Sequence, residues 1–463
     1  MEVKNINEQA DKLYSQYKEY MDFYESKATV GKTRSITTED IYAFGKQLEN
    51  YSQWQSFVES NGGQGDLGVL PNVALDVITA ANTSSVIPMF ASVQPLDDVQ
   101  GTIWFKNIVA KTNRGNVKDE QNLVTGMGGR QTVASQFAGS TITGEVEATG
   151  DGKTTKFAYT VKYSPVLQRT ITISIAGTSV KGIDDGEGNI VGVGITKGTI
   201  NYSTGAVTVE FNDAPADGAE ITQAYSTDFE GMDEIPTVNT EYTSKMIKAK
   251  DFALRSEIGL FKSFAMSKRF GINPEEMIAK DLVQELNAET SNNAVLTAYI
   301  NAVGTVEWNK KAPTGVSYTE HKLTFFDALA SAEAQILGNA GRMNGASVII
   351  AGTTASSTLR TMPGFVAEEQ QNAVLGTHYF GTLDGKVVIR SMALPADEMV
   401  IISKGSSFFD SPVVFSPYLP LYVTNMMDGM DHNPLKSQKA VAMQAGIDAP
   451  VGTLMTKLKI VEA

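Results

Sequence analysis

Residues 242–301 read YTSKMIKAKDFALRSEIGLFKSFAMSKRF and then GINPEEMIAKDLVQELNAETSNNAVLTAYIN. The first part scatters Lys245, Lys248, Lys250, Arg255, Lys262, Lys268 and Arg269 among apolar residues. The second part opens on Asn273-Pro274-Glu275-Glu276. That is a strong helix start: an N-cap, a proline in the first turn, and acids at the positive end of the helix dipole. Met277, Ile278, Leu282, Val283 and Leu286 follow at near-helical spacing. The whole stretch reads as one long helical segment, a structural spine with no active-site character.

Working outward, composition narrows the class. The chain has 463 residues, 42% hydrophobic and 19% charged. That describes a globular protein of roughly two to four domains. No apolar run approaches the roughly 18 residues of a membrane span, and the polar N-terminus MEVKNINEQADKLYSQYKEYM carries no secretory core. With no cysteine, disulfides and thiolate metal sites are excluded, which suits assembly in a reducing cytoplasm. The net charge of −14 argues against a basic nucleic-acid surface. It fits an ordinary acidic protein.

N-terminal to the spine, residues 1–66 form a helical, tyrosine-rich arm. Leu13, Tyr17, Tyr20, Met21 and Tyr24 make one stripe; Ile41, Phe44, Leu48, Tyr51, Trp54 and Phe57-Val58 make a second, capped by Thr37 or Thr38. Such faces must be buried, and the arm's own domain and a neighbouring or scaffolding partner are equal candidates. Ser60 to Gly68, with four glycines, is a flexible joint. Beyond it come a helix from Pro71 to about Ser85 and a short strand at Gly101-Thr102-Ile103-Trp104-Phe105. Residues 106–140 are glycine-rich and weakly patterned, the profile of a long functional loop.

Residues 141–228 change character. Thr170–Ile175 and Ala206–Phe211 alternate, and turns such as Gly150-Asp151-Gly152 and Ser203-Thr204-Gly205 separate the runs. Short strands at about 8–12-residue spacing predict an inserted β-sandwich. After the spine, helix and strand alternate: a helix at Leu323–Leu337, and strands at 346–351, 386–390, 399–402 and 415–421. Residues 443–460 read as a closing strand pair.

Several chemical motifs fail on inspection. Val30-Gly31-Lys32-Thr33 lacks the phosphate-loop glycine, since Ser26 holds that position, and no strand precedes it. Gly192-Val193-Gly194 has no following helix. The acidic turn at residues 184–189 lacks the spacing of a calcium loop and reads as solvated. His321, His378 and His432 lie far apart, and no nucleophile elbow occurs. The expectation is a non-enzyme with no cofactor, metal or catalytic residue.

The 242–301 stretch resembles the spine-helix region of the T-even-type major capsid proteins of tailed bacteriophages. The shared features are an ordered basic run, a short glycine break, an acidic helix start and the Glu285-Leu286-Asn287 ending. The resemblance returns in three further islands. One is Ile87-Pro88 with Ala91 and Val93-Gln94-Pro95, leading into the aromatic strand at Gly101-Thr102. Another is the aspartate turn at Asp410 followed by Pro417-Tyr418 and Leu421. The third is the glycine-rich segment 106–140, which lies where the resembling family has the extended loop that reaches the neighbouring subunit. In all it covers about 67–110 and 230–463.

What the resemblance implies is an α+β, HK97-like capsid fold: a peripheral domain with a long spine helix, an axial α/β domain, an extended loop and an N-terminal arm. Its expected divisions are an arm and possible propeptide at 1–66, core entry and extended loop at 67–140, and the β-sandwich insertion at 141–228. The peripheral domain then takes 229–321, the axial domain 322–400 and the return strands 401–463. The insertion departs in detail from the T-even pattern. The implied function is a major capsid protein, self-assembling into hexamers of an icosahedral head shell around double-stranded DNA. The DNA is enclosed without specific binding and no membrane is involved. Vertex or portal, scaffold and decoration proteins are the implied partners, and the virion, assembled in the bacterial cytoplasm, is the implied location. A pentameric vertex protein of the same fold and a cellular nanocompartment shell are close alternatives. A carbohydrate-binding adhesin is the distant one, and it would need Phe157, Tyr159, Tyr163, Tyr202, Phe211 and Tyr225 as exposed platforms. Proteases of the resembling family cut after Glu in a hydrophobic-x-Glu context. That marks Glu59-Ser60 as a possible cleavage site, with Ile6-Asn7-Glu8 a weaker one.

Overall fold

Period-two burial governs the start of the quoted stretch. In the computed structural model, Lys250–Gly259 is a strand in which Phe252, Leu254, Ser256 and Ile258 turn inward while Ala253, Arg255 and Glu257 turn out. Val238–Lys248 is also a strand and pairs with Gln100–Ala110. The reading of 242–301 as helical throughout is thus corrected for residues 242–259. Helix begins at Leu260.

The structure describes residues 3–60, 71–121, 123, 136–232, 235–271, 274–340, 347–368, 376–405, 407–424, 427–428 and 435–462. The glycine joint, Asn273, His432 and most of the glycine-rich part of 106–140 lie outside them. The chain divides into two compact units, one of Met1–Asn107 with Tyr242–Ala463, the other of Ile108–Glu241.

The helices all belong to the first unit: α1 (Val3–Gln16), α2 (Lys18–Lys27), α3 (Thr38–Ser60), α4 (Pro71–Ser84), α5 (Ile87–Phe90), α6 (Leu260–Phe270), α7 (Pro274–Asn301), α8 (Tyr318–Ala340) and α9 (Thr353–Arg360). In the arm, Leu13, Met21, Tyr24, Phe44, Leu48 and Tyr51 form one buried cluster, joined by Ile78 of α4 and Tyr422. Tyr24 stacks on Phe44 at 4.5 Å. Gly45 permits this approach, because a Cβ there would sit 2.8 Å from Leu13 Cβ. Most of the arm's apolar stripes are therefore covered within its own chain, with Phe57 left exposed.

α6 ends on Gly271 at φ 66°, whose N–H donates to Ser267 O, the left-handed stop that glycine tolerates best. α7 restarts at Pro274 and buries Ile278, Leu282, Leu286, Val295 and Ala298 along one face. That face packs on a five-stranded sheet ordered Ser92–Val93, Val414–Val423, Lys436–Asp448, Lys250–Gly259, with Met427–Asp428 paired to the third strand. Lys250 faces Ala445 and the register runs unbroken to Gly259 facing Lys436.

A seven-stranded sheet follows the order Gly304–Asn309, Met455–Val461, Glu398–Ser403, Ser347–Ala351, Lys386–Arg390, His378–Leu383, Phe365–Ala367. Its central strand is buried on both faces, which explains the unbroken Val348-Ile349-Ile350 run. α8 covers one face through Phe325, Leu329, Ala332, Ile336 and Ala340. The sheet takes strands from outside 322–400. The expected closing pair also fails: Lys436–Asp448 and Met455–Val461 enter different sheets, because the Gly452–Leu454 turn redirects the chain between them.

The second unit holds a five-stranded antiparallel sheet, ordered Thr141–Thr149, Glu220–Ser226, Thr172–Ile175, Lys181–Asp184, Ile190–Val193, and a three-stranded sheet, Lys156–Thr160, Ala206–Phe211, Ile195–Asn201. Ile171, Ile173, Val207, Val209, Phe211, Ile221 and Tyr225 form its core. Part of the segment read as an extended loop is tied into this unit. Arg114, 2% exposed, donates to Gly139 O, Ser140 O and Thr227 Oγ1, and lies 5.0 Å from the rings of both Tyr163 and Phe229. Nearby, Ala110, Val117, Leu123 and Phe137 are buried together.

Candidate assembly surface

α6 breaks the usual rule for an amphipathic helix. None of its residues is buried. Phe261 is 74% exposed, Phe264 66%, Phe270 65% and Leu260 47%. Leu260, Phe261, Phe264 and Lys268 share one face by helical spacing. The helix carries Lys262, Lys268 and Arg269 and no acid, with Lys268 Nζ 5.6 Å from the Phe264 ring. Large apolar side chains in a contiguous exposed patch mark an interaction site. The sequence reading noted these cations and took the stretch as a structural spine, with no statement on its exposure.

A second feature also lay beyond sequence reasoning. Lys404 is half-buried, and its Nζ donates to Pro88 O at 2.5 Å and Ala91 O at 2.8 Å. Burial, reinforced by Arg34, pulls its pKa down to about 7. A neutral amine has two N–H donors, which match two carbonyls. Beside it Arg34 grips Asp40 through two 2.9 Å bonds, and the Asp40 carboxylate accepts the Thr37 N–H at 2.9 Å. Thr37 Oγ1 in turn accepts the Asp40 N–H at 3.3 Å, a reciprocal cap at the start of α3. These polar groups bind the arm to the core.

The residues singled out from sequence are placed as follows. Glu59 and Ser60 are the last two residues of α3, and Ile6, Asn7 and Glu8 lie in α1, where Ile6 is buried. The Thr29–Lys32 segment is a single 3-10 turn, with Lys32 Nζ 2.7 Å from Glu368. Asp184 accepts from the Arg169 and Gly186 N–H groups and from the Tyr202 hydroxyl, while Asp185 accepts from Glu187 and Asn189. Both acids serve their own turn. His321 stacks on Trp308 at 5.6 Å, and His378 is half-buried. Among the described residues no group of three His, Cys, Asp or Glu could hold a metal ion, and no helix is long and apolar enough to cross a membrane. Phe211 and Tyr225 are buried, and Phe157, Tyr159, Tyr163 and Tyr202 pack against the same core, so none forms the platform an adhesin needs.

Comparison with known proteins follows this geometry. The family model described as major capsid protein Gp23 matches residues 69–447. No curated protein sequence matches. Solved structures similar to this chain include the capsid of an empty GTA particle, at 10% identity and TM-score 0.37, covering 82% of this chain and 90% of that one. The capsid of cyanophage P-SCSP1u shows 9% identity and TM-score 0.33, covering 51% and 80%. The mature capsid of bacteriophage PhiM1 shows 9% identity and TM-score 0.32, covering 49% and 75%. Overlaps this loose support no residue-level inference, and the family match stands without them. With its mixed α+β architecture and a match over most of its length, the chain belongs to the major capsid protein Gp23 family and is a subunit of a phage capsid shell.

Proposed function

We propose that copies of this chain form hexameric capsomers that tile an icosahedral head around packaged double-stranded DNA. The observation carrying this reading is α6, a helix with no buried residue on which Leu260, Phe261, Phe264 and Phe270 are all exposed. A repeated interface between copies removes that surface from water. The role is mechanical. The net charge of −14 suits a container that does not grip its cargo. In this scheme residues 229–321 serve as the peripheral domain, 322–400 as most of the axial domain, and 141–228 as an outer-surface insertion. Portal, vertex and scaffold proteins are the expected partners.

The arm belongs to the same proposal. Residues 1–59 guide assembly and are removed after Glu59. Since Glu59 and Ser60 close α3, the protease requires its last turn to unwind. Intact-mass measurement on subunits from mature particles tests this, and the full 49.8 kDa would refute removal. The assembly reading is tested by Phe261→Ser with Phe264→Ser. The variant is expected to stay folded and to sediment as dispersed subunits where the wild-type chain forms large particles. Unchanged particles would contradict the reading.

A further inference from the structure

The unit bearing α6 also carries a groove of about 690 Å³. Its walls are aromatic. Trp104 and Tyr242 are 43% and 55% exposed, Tyr242 lies edge-on to Phe409 at 5.2 Å, and Phe409 lies edge-on to Phe408 at 5.5 Å. Its rim is acidic. Asp97 and Asp98 line it, and no lysine or arginine does. Lys46, just behind, is shared between Asp97 at 3.0 Å and Glu49 at 2.8 Å, so the three carboxylates outnumber it. The volume is that of a cleft taking several large side chains.

We propose that the aromatic, acid-rimmed groove of one copy receives the basic apolar face of α6 from a neighbouring copy. The two surfaces complement each other in both chemistry and sign. Phe261 and Phe264 would enter the aromatic walls with Lys268 on the same face, while Lys262 and Arg269, on one flank of that face by helical spacing, would meet the rim at Asp97 and Asp98. Such pairing sets the register and speeds encounter. Because groove and helix are different patches, the contact is head-to-tail, the geometry that closes into rings. The inference rests on the shell reading and specifies which surfaces meet.

Charge reversal tests it. Asp97→Lys with Asp98→Lys, and separately Lys262→Glu with Lys268→Glu and Arg269→Glu, are each expected to abolish assembly of the full chain. Both sets in one chain restore opposite signs at every contact, and assembly returns. Either reversal assembling normally, or a folded combined chain staying dispersed, overturns the docking. If wild-type chain never assembles, the shell reading fails instead. A second measurement does not depend on reversed charges. The chain has no cysteine, so Thr102→Cys and Ala265→Cys subunits can be mixed, assembled and oxidised. A disulfide joining the two variants is expected, and particles without that cross-link refute the contact.

Discussion

The side-chain amide of Asn50 donates to the main-chain carbonyl of Tyr418 across 2.9 Å, joining α3 to a strand of the five-stranded sheet 368 residues later. The same amide donates to Leu96 O at 2.8 Å. Trp54, one turn on, lies 4.6 Å from Tyr422. Asn50→Ala removes the donors and leaves two carbonyls short of partners at a buried site, a loss of about 1–3 kcal/mol. The arm is then expected to open first. Limited proteolysis should cut the variant within residues 3–60 much faster than the wild-type chain, and equal rates would refute the anchoring role.

In the second unit, burial and then the Glu145 charge push the Glu147 carboxyl up to about 7 from its usual 4.5. The folded state keeps a proton that the unfolded chain releases within this window. The associated stability is complete below about pH 4.5 and is lost as pH rises through 7. Glu147→Gln should flatten the pH dependence of this unit's melting between about pH 5 and 7. An identical slope in variant and wild type would contradict it.

Arg114 places part of the 106–140 segment inside the second unit through Gly139, Ser140 and Thr227. A fragment of residues 108–241 is therefore expected to melt cooperatively and at a higher temperature than 141–228. A melt equal for both fragments would show that Arg114 contributes nothing.

Leu286 is fully buried where α7 meets the sheet core. Leu286→Ala should destabilise the first unit by about 2–5 kcal/mol, measurable by denaturant midpoint. A shift under about 1 kcal/mol would mean that α7 is not packed as described.

The comparison of sequence with structure is instructive at particular residues. Pro274-Glu275-Glu276 and the period of Ile278, Leu282 and Leu286 announce α7, because capping and burial on one face leave a local mark. Val348-Ile349-Ile350 likewise announces a strand buried on both sides. Residues 250–259 were harder. Their alternation is masked because the exposed positions include Lys250, Ala253, Arg255 and Glu257, residues at least as much at home on a helix as on a strand. The partners of Lys436–Asp448 and Met455–Val461 were not legible, since each pairs with segments remote in the chain. The exposure of α6 was invisible for a similar reason. A helix rich in Phe is buried in most proteins, and only the packing shows that none of the described residues buries it. Lys404 gave no signal, since its burial depends on α5 and the segment before α3.

Assembly is the central claim, and electron microscopy of the purified full-length protein tests it most directly. Closed shells, tubes or sheets of hexamers are predicted as concentration rises. A field of dispersed monomers, from a chain shown to be folded and with α6 intact, would contradict the account.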